Sequence, residues 1–270
     1  MIEIQHDQYY THPDEVDRCI ELFQKYYAWS DFDVCLDPCA GTGAFYNRMP
    51  EHTRVGWDID PKIPGITQQD FYLSWIDTDP VSTLIMTNPP YGRRGKDAIG
   101  FFNRGALWAN TQAYIFPRGM RKPSQVKRLH EYFHLIDEIP IDRFCLADGT
   151  DYEVKSIFQI WQRLPQKREH IVLPTEHPDL ELTHAHMSRI SSERKAELLT
   201  YDLAVGQVSG RIKPPEEVHK GSWWFVKFAE SHQADIFKQI DFCALPDTNT
   251  QNMSLTKAEI IDCYHKQKIL

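Results

Sequence analysis

The segment LIMTNPPYG, at positions 84–92, places an asparagine, two prolines, a tyrosine and a glycine directly after a short apolar run. Each proline fixes its φ near −65° and lacks a backbone N–H donor, so this segment is neither a helix nor a paired strand. The pattern predicts a stiff loop at the end of a short buried strand. A loop fixed this firmly is suited to holding a bound group in place.

A second candidate site is the glycine-containing turn in VCLDPCAGTGAF (34–45). A strand is predicted to end at Asp37, a turn to follow with Gly41 and Gly43, and a helix to begin near Ala44. Glycines let the backbone adopt positive φ and approach a ligand closely. The missing third glycine and the absence of a basic P-loop residue argue against a dinucleotide or a triphosphate.

Two further strand ends carry carboxylates. VGWDIDP ends in acidic residues about 20 positions after the turn, where a carboxylate can bind ribose hydroxyls; Asp58 is the first choice and Asp60 the second. In TQQDFY, Asp70 could accept a hydrogen bond from an adenine amino group while Phe71 packs on the ring. Three strand-end carboxylates in sequence after a glycine turn favour a nucleoside-binding site over three unrelated loop residues.

The elements that would position these residues alternate between strand and helix from position 31 to about 162. The predicted strands are 33–37, 54–58, 83–88, 113–117, 134–141 and 156–162, and the predicted helices are 14–29, 96–110 and 123–136. This alternation indicates a mostly parallel sheet covered on both faces. In such sheets ligands bind beyond the carboxyl ends of the strands, where the strand order reverses.

The pattern changes after position 164. LPTEHPDLEL (173–182) is rich in proline and is predicted to be a linker, and HAH (184–186) a polar linker stretch. The remainder looks irregular, with clustered aromatic residues in GSWWFVKF (221–228), which we interpret as core rather than as a base-stacking platform. We expect two domains, residues 1–170 and 171–270.

Charge is distributed unevenly along the chain. The net charge of −8 divides into −10 for residues 1–92, +5 for 93–170 and −3 for 171–270. The basic excess begins immediately after NPPYG and favours a phosphate-facing rim over an ordinary solvated surface. The candidate nucleic-acid contacts are Arg93, Arg94, Lys96, Arg118, Arg121 and Lys122, followed by Lys127 and Arg128, with Arg211 and Lys213 in a glycine-flanked loop near the C-terminus; for the last two, a plain hairpin connection is the alternative.

The two motifs resemble those of S-adenosylmethionine-dependent DNA methyltransferases of the amino-group class, specifically the N6-adenine enzymes. DPCAGTGAF (37–45) is similar to their cofactor motif, and NPPYG (88–92) to their catalytic motif, D/N/S-P-P-Y/F. YYTHP (9–13) is similar to the Tyr/Phe-Thr-Pro stretch that precedes the first strand in many members, with His12 inserted. The resemblance covers roughly residues 9–162; residues 165–270 show no resemblance that we can name.

The resemblance implies a Rossmann-like class I methyltransferase sheet, an α/β fold, with a smaller C-terminal target-recognition region. It implies S-adenosylmethionine as the cofactor and double-stranded, adenine-containing DNA as the partner. The implied cofactor-binding residues are Tyr10, Thr11, Asp37, Cys39, Gly41, Gly43, Asp58, Ile59, Asp70 and Phe71. The implied catalytic residues are Asn88, Pro89, Pro90 and Tyr91.

The implied chemistry explains the rigid loop. An adenine amino nitrogen is a poor nucleophile because its lone pair is delocalised into the ring. If Asn88 Oδ1 and the Pro89 carbonyl both accept from that amine, they fix its position for in-line attack on a methyl sulfonium. Tyr91 would stack on the base, which must leave its helix because the amine cannot be reached inside a duplex.

Other interpretations remain open at this stage. The same loop occurs in enzymes that methylate adenine in structural RNA or a glutamine amide in proteins, and a binding protein could keep the fold without turnover. HEYFH (130–134) fits the zinc pattern H-E-x-x-H but offers no third ligand, so we expect a solvated helix face and no metal.

Composition sets the cellular context that we expect. The hydrophobic fraction of 41% supports a substantial core, and the sequence contains neither a signal-peptide pattern nor an apolar run approaching ~18 residues. The six cysteines form no CxxC pair and are expected to be reduced thiols in a cytoplasmic protein. The sequence leaves open whether the chain acts as a monomer or a homodimer.

Overall fold

The computed structural model of the chain describes residues 10–146, 149–242 and 254–269. The chain forms two compact units, Met1–His170 and Ile171–Leu270. The roles expected for them, cofactor binding and target recognition, stay predictions.

The first unit is built on an eight-stranded mixed sheet. Its strands are β1 (Tyr10–Thr11), β2 (Val34–Asp37), β3 (Arg54–Asp58), β4 (Thr67–Gln68), β5 (Thr83–Thr87), β6 (Thr111–Pro117), β7 (Phe133–Cys145) and β8 (Asp151–Arg163). The order is β1-β7-β8-β6-β5-β2-β3-β4. Strands β2 to β6 pair in parallel, whereas β8 is antiparallel to both β6 and β7. This is a Rossmann-like α/β sheet, as the sequence predicted.

The two faces of this sheet bury alternate residues of the same strands. Cys35, Leu84 and Ala113 face α1 (Pro13–Phe23), whereas the next residue of each strand joins the opposite core with α2 (Lys96–Gly105). Because successive strand side chains point to opposite faces, continuous apolar runs are what a sheet covered on both sides requires.

The predicted helix 96–110 is present as α2 in the β5–β6 crossover, but the crossover from β2 to β3 differs from the prediction. The helix expected near Ala44 is absent: residues 38–53 contain turns and one short 3₁₀ helix, Tyr46–Arg48, and no α-helix occurs in 59–66 or 69–82. In this crossover the Tyr46 ring packs closely over Gly56 of β3, since a Cβ at Gly56 would lie 2.7 Å from the ring. The Tyr46 hydroxyl donates to the Gly65 carbonyl at 3.1 Å, which fixes the ring there.

The predicted helix 123–136 is also wrong over most of its length. The helix α3 spans only Pro123–Val126, and β7 begins at Phe133. Arg168 donates to the carbonyls of Val126 (2.8 Å) and Leu129 (3.3 Å), which satisfies groups that a longer helix would have bonded internally. HEYFH therefore lies in a turn and the start of a strand, and the helical spacing needed to bring its two imidazoles together is lost.

The second unit is a four-stranded antiparallel sheet with helices, not the irregular region expected. Its elements are β9 (Leu180–His186), α4 (Ser192–Leu198), β10 (Leu203–Gly206), β11 (Ile212–Lys213), β12 (Ser222–Phe228), α5 (Gln233–Lys238) and α6 (Lys257–Ile269), with strand order β11-β10-β12-β9. HAH belongs to β9 and not to a linker. Trp223 and Trp224 pack against separate apolar clusters on the two sides of β12, which confirms the core interpretation.

Candidate active site: a cavity beyond the parallel strands

A cavity of about 370 Å³ lies at the carboxyl ends of β2, β3 and β5, where the strand order reverses. This is the position at which doubly wound sheets bind ligands. Nine of the ten predicted cofactor-binding residues line it: Tyr10, Thr11, Asp37, Cys39, Gly41, Asp58, Ile59, Asp70 and Phe71. All four predicted catalytic residues, Asn88, Pro89, Pro90 and Tyr91, line the same cavity.

Gly43 is the exception. It does not line this cavity, and a Cβ at its position would lie 2.5 Å from Ile63 and 2.6 Å from Asn47. Its φ of +83° also favours glycine. The second glycine of the motif therefore serves turn geometry and packing, and its contact with a cofactor stays a prediction.

Asp37 is buried, with only 2% of its surface exposed. Its Oδ1 accepts from the Thr87 hydroxyl at 2.7 Å and from the Cys39 amide at 3.2 Å. Burial raises the pKa of Asp37 to about 7, and the nearby Asp58 charge acts in the same direction, while the hydrogen bonds from Thr87 and Cys39 lower it. A cation bound in the cavity would favour the ionised carboxylate.

Asp58 joins the end of β3 to the glycine turn that follows β2. Its Oδ2 accepts from the Gly41 amide at 2.7 Å and its Oδ1 from the Asp60 amide at 2.8 Å. A carboxylate has about four acceptor positions, so this one retains capacity for a ligand's hydroxyl groups. Gly41 has a φ of +47°, and a Cβ there would lie 3.1 Å from the Tyr10 ring.

Two apolar residues form a wall of the cavity: Ile59 directly follows β3, and Phe71 comes after the short strand β4. Ile59 is 62% exposed although it is apolar, whereas Phe71 is 2% exposed and stacks on Phe101 with ring centroids 4.9 Å apart. Of this pair, Ile59 presents the accessible apolar surface, and Phe71 backs the wall from the core. Asp70 Oδ1 accepts from the Tyr72 amide at 2.8 Å.

Tyr72 and Asp97 line the cavity but were missed from the sequence. Burial, with the Asp97 charge, raises the pKa of Tyr72 to about 12, and its hydroxyl donates to the Asp97 carbonyl at 3.4 Å. The Asp97 amide also donates to the Tyr91 carbonyl at 3.1 Å, which links the first turn of α2 to the NPPYG segment. In the sequence, the only signal for these two residues was their closeness to predicted features: Tyr72 follows Phe71, and Asp97 lies in the first turn of α2.

The NPPY loop (Asn88, Pro89, Pro90, Tyr91) begins one residue after β5. The Asn88 Nδ2 donates to the Thr11 hydroxyl at 3.3 Å, which orients the amide and its buried Oδ1. The Tyr91 ring packs against the cores on both sides of the sheet, and its hydroxyl donates to Ser156 Oγ at 2.9 Å. Burial raises the pKa of Tyr91 far above its usual value, so this hydroxyl stays a donor.

The expected basic rim is narrower than the sequence indicated. Arg93, Arg94 and Lys96, which we name the basic rim, are exposed directly after the NPPY loop. Arg118 and Arg121 are 12% and 23% exposed and form ion pairs with Asp142 (2.6 Å) and Glu138 (2.7 Å). Their charges are balanced by the protein's own carboxylates, so they are not the exposed phosphate contacts that we expected.

The remaining predicted contacts are less buried. Lys122 is partly exposed beside Arg121, and Lys127 and Arg128 are exposed. In the second unit, Arg211 is exposed in the β10–β11 connection and Lys213 lies 3.7 Å from Glu217. This connection joins the antiparallel strands β10 and β11 as a hairpin, and its contact with DNA stays a prediction.

The remaining predictions concern the cysteines, metal binding and membrane spans. Cys19, Cys35, Cys39, Cys145 and Cys263 are free thiols as predicted, and Cys243 lies outside the described residues. Within 10–146, 149–242 and 254–269, no group of three or more His, Cys, Asp and Glu side chains is arranged to hold a metal ion. No helix in the described part of the chain has the length and apolar character needed to span a membrane.

Comparison with known proteins adds distant structural likenesses. No family model and no curated protein matches the chain. A Pyrococcus horikoshii protein assigned as an RNA methyltransferase is 14% identical, with 59% of this chain and 88% of that one covered and a TM-score of 0.42. The 23S rRNA methyltransferase ErmE is 13% identical (59% and 71% covered, TM-score 0.41). Magnesium protoporphyrin IX methyltransferase from Synechocystis PCC 6803, solved with S-adenosylmethionine, is 12% identical (57% and 80% covered, TM-score 0.42). At this level of similarity, the fold assignment depends on the strand order itself.

Proposed function

We propose that this chain transfers a methyl group from S-adenosylmethionine to the N6 amine of adenine in DNA. One observation carries the proposal: the glycine turn with its strand-end carboxylates and the NPPY loop line a single cavity. A cofactor site alone would fit many reactions, and a rigid proline loop alone would fit a simple turn. Because the glycine turn and the NPPY loop line the same cavity, a wall suited to a nucleoside lies beside a pair of oxygen acceptors.

The residues of the cavity fit the proposed cofactor. Asp58 keeps acceptor capacity for ribose hydroxyls, and Ile59 offers an apolar surface for the adenine ring. Asp70 can accept from the adenine amino group, and Asp37 supplies negative charge near a cationic ligand. When bound, the cofactor supplies an electrophilic methyl group on a positively charged sulfur.

The NPPY loop then prepares the nucleophile. Asn88 Oδ1 and the Pro89 carbonyl would accept from the two N–H bonds of the target amine, which fixes its orientation and favours a lone pair directed at the methyl group. The hydrogen bond from Asn88 to Thr11 preorganises the amide for this task. No strong general base is needed, because the methylated ammonium product is acidic and releases its proton to water.

The basic rim and the second unit would serve the nucleic acid. Arg93, Arg94 and Lys96 directly follow the loop that holds the base, so their charges are suited to phosphates flanking it. We propose that the second unit reads the surrounding sequence, with Arg211 and Lys213 among its contacts.

A competition assay tests the proposed substrate. Purified protein is mixed with labelled cofactor and equal amounts of mixed-sequence DNA, structured RNA and unfolded protein, and each fraction is digested and counted. We expect label on adenine from the DNA. Label confined to RNA adenine or to protein glutamine would keep the chemistry and refute the substrate, and tight cofactor binding with no transfer would favour a binding protein without turnover.

A further inference from the structure

The Tyr91 hydroxyl is held by a residue that the sequence did not single out. It donates at 2.9 Å to Ser156 Oγ on β8, the antiparallel strand between β6 and β7, and Ser156 has no exposed surface. This bond joins the last residue of the NPPY loop to the sheet beside it. The tyrosine ring cannot tilt without breaking a buried hydrogen bond.

Arg118 in turn holds the strand segment that carries Ser156. Its Nε donates to the Ser156 carbonyl at 3.2 Å, and its Nη2 lies 2.6 Å from both carboxylate oxygens of Asp142. Asp142 sits at a register shift in β7, between Ile141 and Arg143. Such bulges redirect side chains next to functional sites, and here the bulge coincides with the carboxylate that meets Arg118.

The NPPY loop is therefore tied at both ends. At its start, Asn88 bonds to Thr11 of β1, and at its end, Tyr91 bonds to Ser156 of β8. Both partners lie outside the parallel strands that form the cofactor wall. The positions of the amide that would accept from the target amine and of the ring that would stack on the base are thus set by two independent contacts.

We propose that Ser156 is a positioning residue for methyl transfer: it fixes the Tyr91 ring, and through it the NPPY loop, while Arg118 holds Ser156 in place. This proposal rests on the proposed function, because it assigns Tyr91 to the target base. Misplacing a reacting group by about 1 Å can cost about a hundredfold in the rate of a reaction whose catalysis consists of positioning.

The test is a double-mutant cycle on the full-length protein. Ser156→Ala and Tyr91→Phe each remove one partner of the same bond, and each should lower kcat roughly tenfold while the dissociation constant of the cofactor changes less than threefold. The double variant should be no slower than either single variant, because the contact is already lost. Thr111→Val is the matched control: it removes a buried hydroxyl that donates to Gln162 at 2.8 Å in the same sheet, and it should keep the wild-type kcat.

Crystal structures of Ser156→Ala and Tyr91→Phe provide a readout that does not depend on activity. In both variants we expect the aromatic ring at position 91 to shift or to occupy two positions. If Ser156→Ala fails to fold, Tyr91→Phe still reports on the bond. Equal kcat values for wild type and both single variants, multiplied losses in the double variant, or an unmoved ring would overturn the positioning role. Absence of methyl transfer by the wild type would instead refute the proposed function.

Discussion

Asp37 should make the first unit less stable as the pH rises from acid to neutral. Its pKa lies at about 7 in the folded chain against an ordinary value of 3.8, because the folded cavity buries the carboxylate. The folded state therefore holds its proton up to a higher pH than the unfolded state does. By linkage, the contribution of Asp37 to the free energy of unfolding falls between about pH 4 and pH 7 and is constant above that range.

The size of this effect follows from the shift. A change of about three pKa units, at about 1.4 kcal/mol for each, gives a total of about 4 kcal/mol. Of this total, about 2.5 kcal/mol is lost between pH 5 and pH 8. The rest is lost below pH 5, because the unfolded carboxyl has already lost most of its proton at that pH. Asp37→Asn cannot ionise, so its stability relative to wild type should rise by about 2.5 kcal/mol over this interval.

Urea unfolding at half-unit pH steps measures the difference, with hydrogen exchange of the β2 and β5 amides reporting on the first unit. Subtracting the wild type at each pH cancels the titration of all other carboxylates. Asp33→Asn, which changes an exposed carboxylate just before the same strand, is the control and should give a flat difference. A flat difference for Asp37→Asn as well would refute the reasoning that Asp37 is buried in a site of low polarity.

Three further predictions concern the cavity and its rim. Asn88→Ala should lower methyl transfer about a hundredfold or more with the affinity for the cofactor unchanged, and transfer within threefold of wild type would contradict its role. Gly41→Ala should weaken cofactor binding about tenfold in calorimetry, because its Cβ would meet a cavity-lining ring. Gly149→Ala also has a positive φ, of +82°, but nothing within 4 Å, and it should bind normally; equal binding by both variants would count against this reason. Replacing all three basic-rim cations by glutamine should reduce the slope of log K against log salt for DNA by up to about 3, whereas Arg121→Gln should leave it unchanged; an unaltered slope for the triple variant would remove the rim from the phosphate contacts.

The strands that place the cavity could be predicted because their signal is local. Short apolar runs end at Asp37, at Asp58 and just before Asn88, and the structure ends β2, β3 and β5 within a residue of those positions. Strand-end residues of a parallel sheet gather at one edge whatever connects the strands. This is why most predicted site residues line one cavity although the helix expected near Ala44 is absent.

The failures concern contacts between distant segments. Where a helix was expected near Ala44, the Tyr46 ring packs over Gly56. After the shortened α3, Arg168 bonds the backbone carbonyls and the chain pairs with β8. Such tertiary contacts override local helical periodicity.

Arg118 and Ser156 show the same limit at the level of single residues. A basic residue after the catalytic motif predicts a phosphate contact until its partner is known, and that partner, Asp142, lies 24 positions away on a strand bulge. Ser156 begins an apolar strand segment and carries no motif. Its proposed role follows only from its contact with Tyr91 in the structure.

The central claim is that Asn88 and the rest of the NPPY loop hold an adenine amine in the cavity that binds the methyl donor. Mass spectrometry of nucleosides from the DNA of cells expressing the wild-type chain or Asn88→Ala tests it most directly. We predict N6-methyladenine in DNA from wild-type cells and none above background with the variant. Equal amounts in both, or none in either while the wild-type protein is folded and binds S-adenosylmethionine, would contradict the claim.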